Sequence, residues 1–414
     1  MEEFTLLDNL TTSRCPPNSD HLFKGTNEQS KYFLRMEELE DWSELSYQNI
    51  LLAFEPFLLQ RSPQFIQPAI LSKGDNDPQD ETDVLELLEK STFRAVIDAV
   101  NFTISNFGQL VPGPEVIAGW SRETVVLNPF HGEWHGAKAR GGKQGIPDWV
   151  IFYRQSQGGS SVNFLVIADG NFKQAIPTDA IVLMMGEGKI SSNWKYEDFR
   201  AKIDLVYGVR KPTKLRGIRG SEYDTQCTYS KSTAHSKSKE LPISDSSSKN
   251  TSTRTNILRP TDELSTYCMW SSTKYGFLHT EKELMACMVR SLPGVNGSKV
   301  PRAGMKVMNI PWEENFRPER LTPELVLYCL LIASLHDRNR SISETFDDKD
   351  LVTWNRVPYS ELSALGKLVG RPIYRNRLTG VEREIGELKS LKGNKIITEM
   401  EAEFPVTVSW PWGL

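Results

Sequence analysis

Apolar positions recur along this chain at two periods, and the switches between them divide it into helices and strands. Between Thr82 and Phe107 the residues Phe93, Ile97, Val100, Ile104 and Phe107 fall three or four apart, which predicts an amphipathic helix lying on a sheet. Trp42 to Leu59 reads as a shorter helix. Ala180 to Met185 is an unbroken apolar run, the pattern of a buried strand that emerges at its carboxyl end. Pro147 to Tyr153, rich in β-branched and aromatic residues, predicts a second strand, and Glu123 to Leu127 predicts a first one within Val116 to Pro129. Further on, Pro260 opens a helix with acids in its first turn. Lys274 to Thr280 and Leu284 to Val289 read as strand, turn and strand, and helices are expected near Pro323 to Asp337 and Ser360 to Leu368. The most apolar window, Leu325 to Leu335, is too short to span a bilayer and reads as a core helix.

The intervals between these elements set the organisation. Residues 1–35 are polar and irregular, and Lys73 to Glu81 is a loop rich in Gly, Asp and Pro. Ser221 to Asn256 is dominated by Ser, Thr and Lys; it has too little apolar surface to offset its ordering entropy, so a disordered insertion is expected there. The expectation is therefore a polar N-terminal segment with a short helix (1–80), a core (81–340) containing the insertion 221–256, and a C-terminal extension (341–414) packed on that core.

Composition narrows the function classes. The net charge of −4 over 414 residues and a pI near 6.0 argue against a broadly basic surface, so nucleic-acid contact would have to come from a local patch. Cys15, Cys227, Cys268, Cys287 and Cys329 are scattered, odd in number and without CxxC spacing, which points to a reduced, intracellular protein, nuclear or cytoplasmic, without a structural zinc site. The N-terminus lacks the basic start and apolar stretch of a signal peptide. No membrane association is expected.

The candidate chemistry lies at the ends of the two predicted strands. Residues two apart on a strand share a face, so Glu187 and Lys189 project together, toward Asp148 on a neighbouring strand. Two carboxylates and an ammonium on one face suit Mg²⁺-assisted phosphodiester hydrolysis. An acid two before a lysine is itself weak, and Asp347/Lys349 and Glu387/Lys389 repeat it, but only Glu187 ends a buried-strand pattern. The plainer role for Asp148 is that of a turn residue after Pro147. Glu86 and Glu89 could add a further acid, or simply favour the start of their helix through its dipole. The glycine-rich loop from His131 to Lys143 brings Lys138, Arg140 and Lys143 close before Asp148, either as phosphate contacts or as an ordinary surface connection. His131 and His135 are four apart, but Gly132 disfavours a helix and no glutamate follows the first histidine, which argues against a zincin motif. The basic cluster Arg210 to Arg219 and the serine-rich insertion suggest import or phosphorylation.

Taken in order, Ile146 to Trp149 (IPDW), Gly186 to Trp194 (GEGKISSNW) and Glu263 to Leu284 (ELSTYCMWSSTKYGFLHTEKEL) resemble the fungal branch of the PD-(D/E)XK nuclease-like superfamily. The similarity continues through Asn309 to Trp312 and the Leu321/Thr322 helix start, over roughly residues 80–340. The resemblance implies an α/β fold, a restriction-endonuclease-like core with a central mixed sheet flanked by helices; the helices read on either side of it lead to the expectation of helical N- and C-terminal extensions. It implies that Asp148 and Glu187 bind Mg²⁺ or Mn²⁺, that Lys189 orients or activates the attacking water, and that Glu263 and Tyr267, one turn apart on a helix, stand on the substrate side with DNA as partner. This sequence departs from the family at Glu263, where the family carries glutamine. The long interval between Asp148 and Glu187 also leaves Asp169 as a rival second ligand. A catalytically silent member of the fold, binding nucleic acid or protein, is the alternative.

Overall fold

The computed structural model of the chain describes residues 4–11, 34, 36–62, 81–107, 116–122, 148–155, 180–207, 213–214, 257–293, 302–312, 319–346, 348–358, 372–384, 387–388 and 397–399. Its strands are β1 (Phe4–Thr5), β2 (Met36–Asp41), β3 (Arg61–Ser62), β4 (Val116–Arg122), β5 (Trp149–Gln155), β6 (Ala180–Gly188), β7 (Thr213–Lys214), β8 (Tyr275–His279), β9 (Glu283–Leu292), β10 (Arg302–Pro311), β11 (Thr353–Arg356), β12 (Ile373–Asn376), β13 (Glu382–Glu384) and β14 (Ile397–Glu399). Eight of them form one mixed sheet in the order β4-β5-β6-β8-β9-β10-β2-β7. β6 runs parallel to β8 and β10 parallel to β2, while the other neighbours are antiparallel. The molecule is thus mixed α/β, with helices against both faces of the sheet.

One face is covered by helices Tyr47–Leu58, Glu81–Leu88, Arg94–Asn106 and Pro323–Ser334. The expected core helix starts with Thr322 capping the Leu325 N–H and Pro323 in its first turn, and every residue from Pro323 to Ser334 is buried. A helix apolar all round needs partners on every side. Here they include Phe54, Val96 and Val100 from the neighbouring helices. Its buried Tyr328 hydroxyl meets the Thr103 hydroxyl at 2.6 Å, which satisfies both.

The predicted helix from Thr82 to Phe107 forms, but one wide turn, Glu89–Phe93, interrupts it with π-helical bonding. The wider turn changes the phase of the apolar stripe on either side. Leu85 accordingly lies against Gly188, while Phe93 stacks on Trp149 with ring centroids 4.2 Å apart. A stacked aromatic pair adds about 1 kcal/mol beyond its burial. The strand beginning after Asp148 is held by that stack.

The other face carries the helices Tyr196–Tyr207 and Arg259–Ser271. The second has Pro260 in its first turn, and Ser272 ends it in the left-handed region at φ 56°. Three of its side chains tie down the start of β2. Asp262 accepts the Met36 N–H at 3.0 Å, Thr266 accepts the Leu34 N–H at 2.7 Å, and Ser265 donates to the Leu34 carbonyl at 3.3 Å.

Two expectations need correction, and a third falls outside the described residues. β2, in a stretch that carried no strand signal, lies inside the main sheet. The early strand is Val116–Arg122; Glu123 to Leu127, where it was expected, lies outside the described residues. The C-terminal extension, expected to be helical, is strand-rich among the described residues, with a four-stranded sheet in the order β13-β12-β11-β14. Two contacts join it to the rest of the chain: Asn339 Nδ2 donates to the Leu378 carbonyl at 3.0 Å, and Arg383 pairs with Glu55. The insertion 221–256 and the helix expected at Ser360 to Leu368 lie outside the described residues. No helix among the described residues is long and apolar enough to cross a membrane.

Candidate active site

Strand register brings the first two acids together. β5 and β6 are antiparallel with Trp149 opposite Gly186, so one further step along the ladder sets Asp148 opposite Glu187. β6 continues beside β8, with Gly188 opposite His279, and the Lys189 N–H donates to the His279 carbonyl at 2.9 Å. The Lys189 ammonium then lies 2.5 Å from Glu187 Oε1 and 3.8 Å from Asp148 Oδ2. Asp148 Oδ2 also accepts the Gly188 N–H at 2.8 Å.

The glycines around Glu187 are explained from the opposite face of the sheet. A Cβ on Gly188 would overlap Leu85, and one on Gly186 would overlap the Phe277 ring. Alternation then directs Glu187 and Lys189 toward the Arg259–Ser271 helix. Glu187 is 3 % exposed and Lys189 8 %. On that helix Glu263 and Tyr267 are also buried, one turn apart; Glu263 contacts the Glu187 carboxyl, and the Glu187 charge acts on the Tyr267 hydroxyl.

Burial first, and then the Asp148 charge, push the Glu187 carboxyl well above the usual carboxylate range; Lys189 pulls it down and Glu263 pushes it up. Burial also raises the Glu263 carboxyl, against the pull of Lys189 and of its contact with Glu187. The Tyr267 hydroxyl is raised by burial and then by the carboxylates Glu187, Glu263 and Asp148, so it stays a donor at neutral pH. Counted as an ionised acceptor, Glu187 Oε2 is buried with no hydrogen-bond donor. Two carboxyls facing one another in a buried site need either a shared proton or a cation between them.

Two functional supports carried no sequence signal. Glu281, buried in the turn between β8 and β9, accepts the Ser191 N–H on both oxygens at 3.1 and 3.0 Å. Glu283 accepts the Tyr196 N–H at 2.6 Å and the Asn309 side-chain amide at 2.9 Å. Together they fix the segment that follows Lys189. A Glu-Lys-Glu run in a hairpin turn looks like any solvated turn, and only its tertiary position reveals the role. His279 packs against Phe93 and Trp312, with centroids at 6.3 and 5.5 Å, and both its ring nitrogens are unpartnered. Burial lowers it to about 3, so the ring is neutral.

The structure thus brings Asp148, Glu187, Lys189, Glu263 and Tyr267 to one place. Glu86 is exposed and Glu89 half-buried, and neither is among the charges acting on Glu187. Glu387, from one of the competing tripeptides, is exposed. Lys138, Arg140, Lys143, Asp169, His131 and His135 lie outside the described residues. The oxygens that could hold one ion are those of Asp148 and Glu187. No group of three or more His, Cys, Asp or Glu side chains placed to hold a metal occurs among the described residues. Comparison with family models, with curated proteins and with solved structures returns no match.

Proposed function

We propose that this chain is a divalent-metal-dependent nuclease that hydrolyses phosphodiester bonds in DNA, built on a restriction-endonuclease-like core. The observation that carries the reading is Glu187 Oε2: a buried carboxylate oxygen without a donor, next to a second carboxylate and a lysine at the ends of adjacent strands. The donor set fits the ion. Hard oxygen ligands suit Mg²⁺ or Mn²⁺, and an oxygen lacking a hydrogen-bond donor keeps a lone pair for it. Asp148 and Glu187 would be the ligands. When bound, such an ion polarises a phosphoryl oxygen and favours deprotonation of water.

The remaining steps belong to the chain's own groups. Lys189 places positive charge beside the point where the phosphate gains negative charge, and its N–H groups can orient a water. The Gly188 N–H fixes Asp148. Tyr267, kept protonated, can donate to a phosphate oxygen from the helix side. Lys138, Arg140 and Lys143 would meet the flanking phosphates.

A second reading has its own observation. The Lys189 ammonium already contacts both carboxylates, as it would in a silent fold member that binds nucleic acid or a protein. The deciding experiment incubates the purified chain with plasmid or single-stranded DNA and Mg²⁺ or Mn²⁺, beside Asp148→Ala and Lys189→Ala. Cleavage by the wild type that fails in both variants supports the nuclease. Equal cleavage in all three sinks the site assignment, and no cleavage in any favours the silent module.

A further inference from the structure

We propose that Glu281 is a positioning residue for Lys189: its side-chain carboxyl stands in for a rung of the sheet and so fixes the direction in which the lysine leaves β6. The inference deepens the nuclease reading of this site and rests on that reading for its catalytic consequence.

β6 and β8 run parallel as far as Gly188 opposite His279. The Lys189 N–H then makes a further rung, to the His279 carbonyl at 2.9 Å. On one strand of a parallel pair such rungs fall on every second residue, so the next would join the Ser191 N–H to the main-chain carbonyl of Glu281. β8 ends before that point. The Thr280 N–H turns to the Glu283 carbonyl at 2.8 Å, and the Thr280 hydroxyl accepts the Lys282 and Glu283 N–H groups, both at 3.1 Å, which leads the chain back into β9. The Ser191 N–H goes instead to the side chain of the very residue that is in register to receive it, meeting Glu281 Oε1 at 3.1 Å and Oε2 at 3.0 Å. Glu281 is 1 % exposed, so little water reaches this contact.

The consequence falls on Lys189. Its own N–H is held on one side, the N–H two residues further on is held on the other, and Ile190 between them is buried in the core on the opposite face. Immediately afterwards the chain turns, with the Ile190 carbonyl accepting the Asn193 and Trp194 N–H groups at 2.9 and 3.1 Å. Without the Glu281 contact Lys189 would be the last held residue of β6, and strand ends are where local opening is easiest. With it, Lys189 is an interior position of a lengthened ladder, and alternation keeps its side chain on the face of Glu187. The two carboxylates do not depend on this contact. Glu187 lies within the β6–β8 register opposite Leu278, and Asp148 is held by the Gly188 N–H at 2.8 Å. Glu281 therefore acts on the lysine and not on the oxygens that would hold an ion.

The test compares wild type, Glu281→Ala and Glu281→Gln in Mg²⁺-dependent plasmid cleavage, Mn²⁺ titration calorimetry without DNA, and amide hydrogen exchange, with thermal melts as the folding control. Glu281→Ala should lower kcat about tenfold or more, because misplacing a reacting group by about 1 Å can cost on the order of a hundredfold. KM and Mn²⁺ affinity should change by less than about twofold, and the Lys189 and Ser191 amides should exchange faster. Glu281→Gln keeps an oxygen for the Ser191 N–H and should hold kcat within about threefold of wild type. An equal fall in both variants would overturn the acceptor role. A raised KM with kcat unchanged, or weakened Mn²⁺ binding, would make Glu281 part of the substrate or metal site and overturn the proposal. Should Glu281→Ala fail to fold, Glu281→Asp, one methylene too short to reach Ser191, takes its place with the same expected fall in kcat. Absence of cleavage by the wild type would sink the nuclease reading and the catalytic role together. Wild-type cleavage with kcat unchanged in the Ala or Asp variant sinks the inference alone.

Discussion

Two charged clusters stand on one sheet, and they are built on opposite terms. At the β2, β9 and β10 end, Glu37 pairs with Arg302, Glu38 with Arg290, and Glu40 and Glu44 both reach Lys306. Each cation there has a carboxylate, the groups are partly open to water, and Arg290 and Lys306 also cover the Phe346 ring. At the β5 and β6 end, by contrast, the buried carboxyls of Glu187 and Glu263 and the half-buried one of Asp148 crowd one ammonium, and an oxygen of Glu187 is left without a donor. A balanced ladder stabilises strands with little left over. An unbalanced, desolvated cluster keeps an excess of negative charge that a proton or a cation can offset, and that imbalance supports the proposed site over a structural stitch.

Removing one cation from each cluster should separate them most sharply. Lys189→Met leaves buried carboxylates uncompensated and should destabilise the fold by about 3 kcal/mol, measured by urea unfolding, with metal-dependent cleavage reduced at least about a hundredfold. A destabilisation as small as that of Arg302→Met would break the contrast.

Backbone packing gives the next comparison. Gly188→Ala drives a methyl into Leu85 beneath the site and should cost about 2 kcal/mol. In the ladder, Gly304→Ala meets Arg290 Nε and Cγ at 3.0 and 3.1 Å, a side chain that can shift, and should cost less than half as much. Equal melting-temperature losses would show that the layer under Glu187 is softer than its packing suggests.

Acidity sharpens the contrast further, with two opposite signs. His279 is neutral in the fold with its pKa lowered to about 3, so the unfolded chain takes up more protons between there and 6.5. Stability from this group is fully present above 6.5 and is lost as pH falls toward 3. About 2 kcal/mol should go between pH 7 and pH 5, and His279→Asn should abolish that slope. The raised Glu187 carboxyl works the other way: the folded chain holds its proton to higher pH, so in EDTA the wild type should gain stability relative to Glu187→Gln as pH falls through the folded value. His279 is common to both chains and cancels in that difference. A flat difference would mean that folding does not raise the Glu187 carboxyl.

The smallest effect belongs to the ladder. Arg302→Met should cost under about 1 kcal/mol, and less in 0.5 M salt, because partly exposed pairs are screened. A larger, salt-insensitive loss would give the two clusters the same character.

The same contrast explains what could be read from residues alone. The Phe93 to Ile104 periodicity, the Pro260 helix start and the apolar run before Glu187 are all burial signals, and burial is written in residue type. Asp148, Glu187 and Lys189 converge because alternation plus one antiparallel register suffices to align them; Glu263 and Tyr267 follow from a helical turn. β2 was illegible because Met-Glu-Glu-Leu-Glu-Asp has apolar residues only at Met36 and Leu39, and its place is secured by ion pairs and by side chains from a distant helix. β4 itself was not anticipated because Thr124-Val125-Val126 carried the strand signal over a segment interrupted by Gly119. The C-terminal strands are short and charged, and their turn is organised by Asn376, which accepts the Leu378 and Thr379 N–H groups at 3.0 Å. No periodicity announces such a turn.

The late pairing of β2 has a consequence for biosynthesis. Glu37 and its partner Arg302 are 265 residues apart in the chain. At a synthesis rate of about 5–20 residues per second, β2 leaves the ribosome on the order of tens of seconds before β10 exists. Throughout that interval the edge of β2 that will meet β10 stays open, and its run of acids gives the nascent chain a repulsive charge that disfavours pairing with another copy until its own sheet arrives.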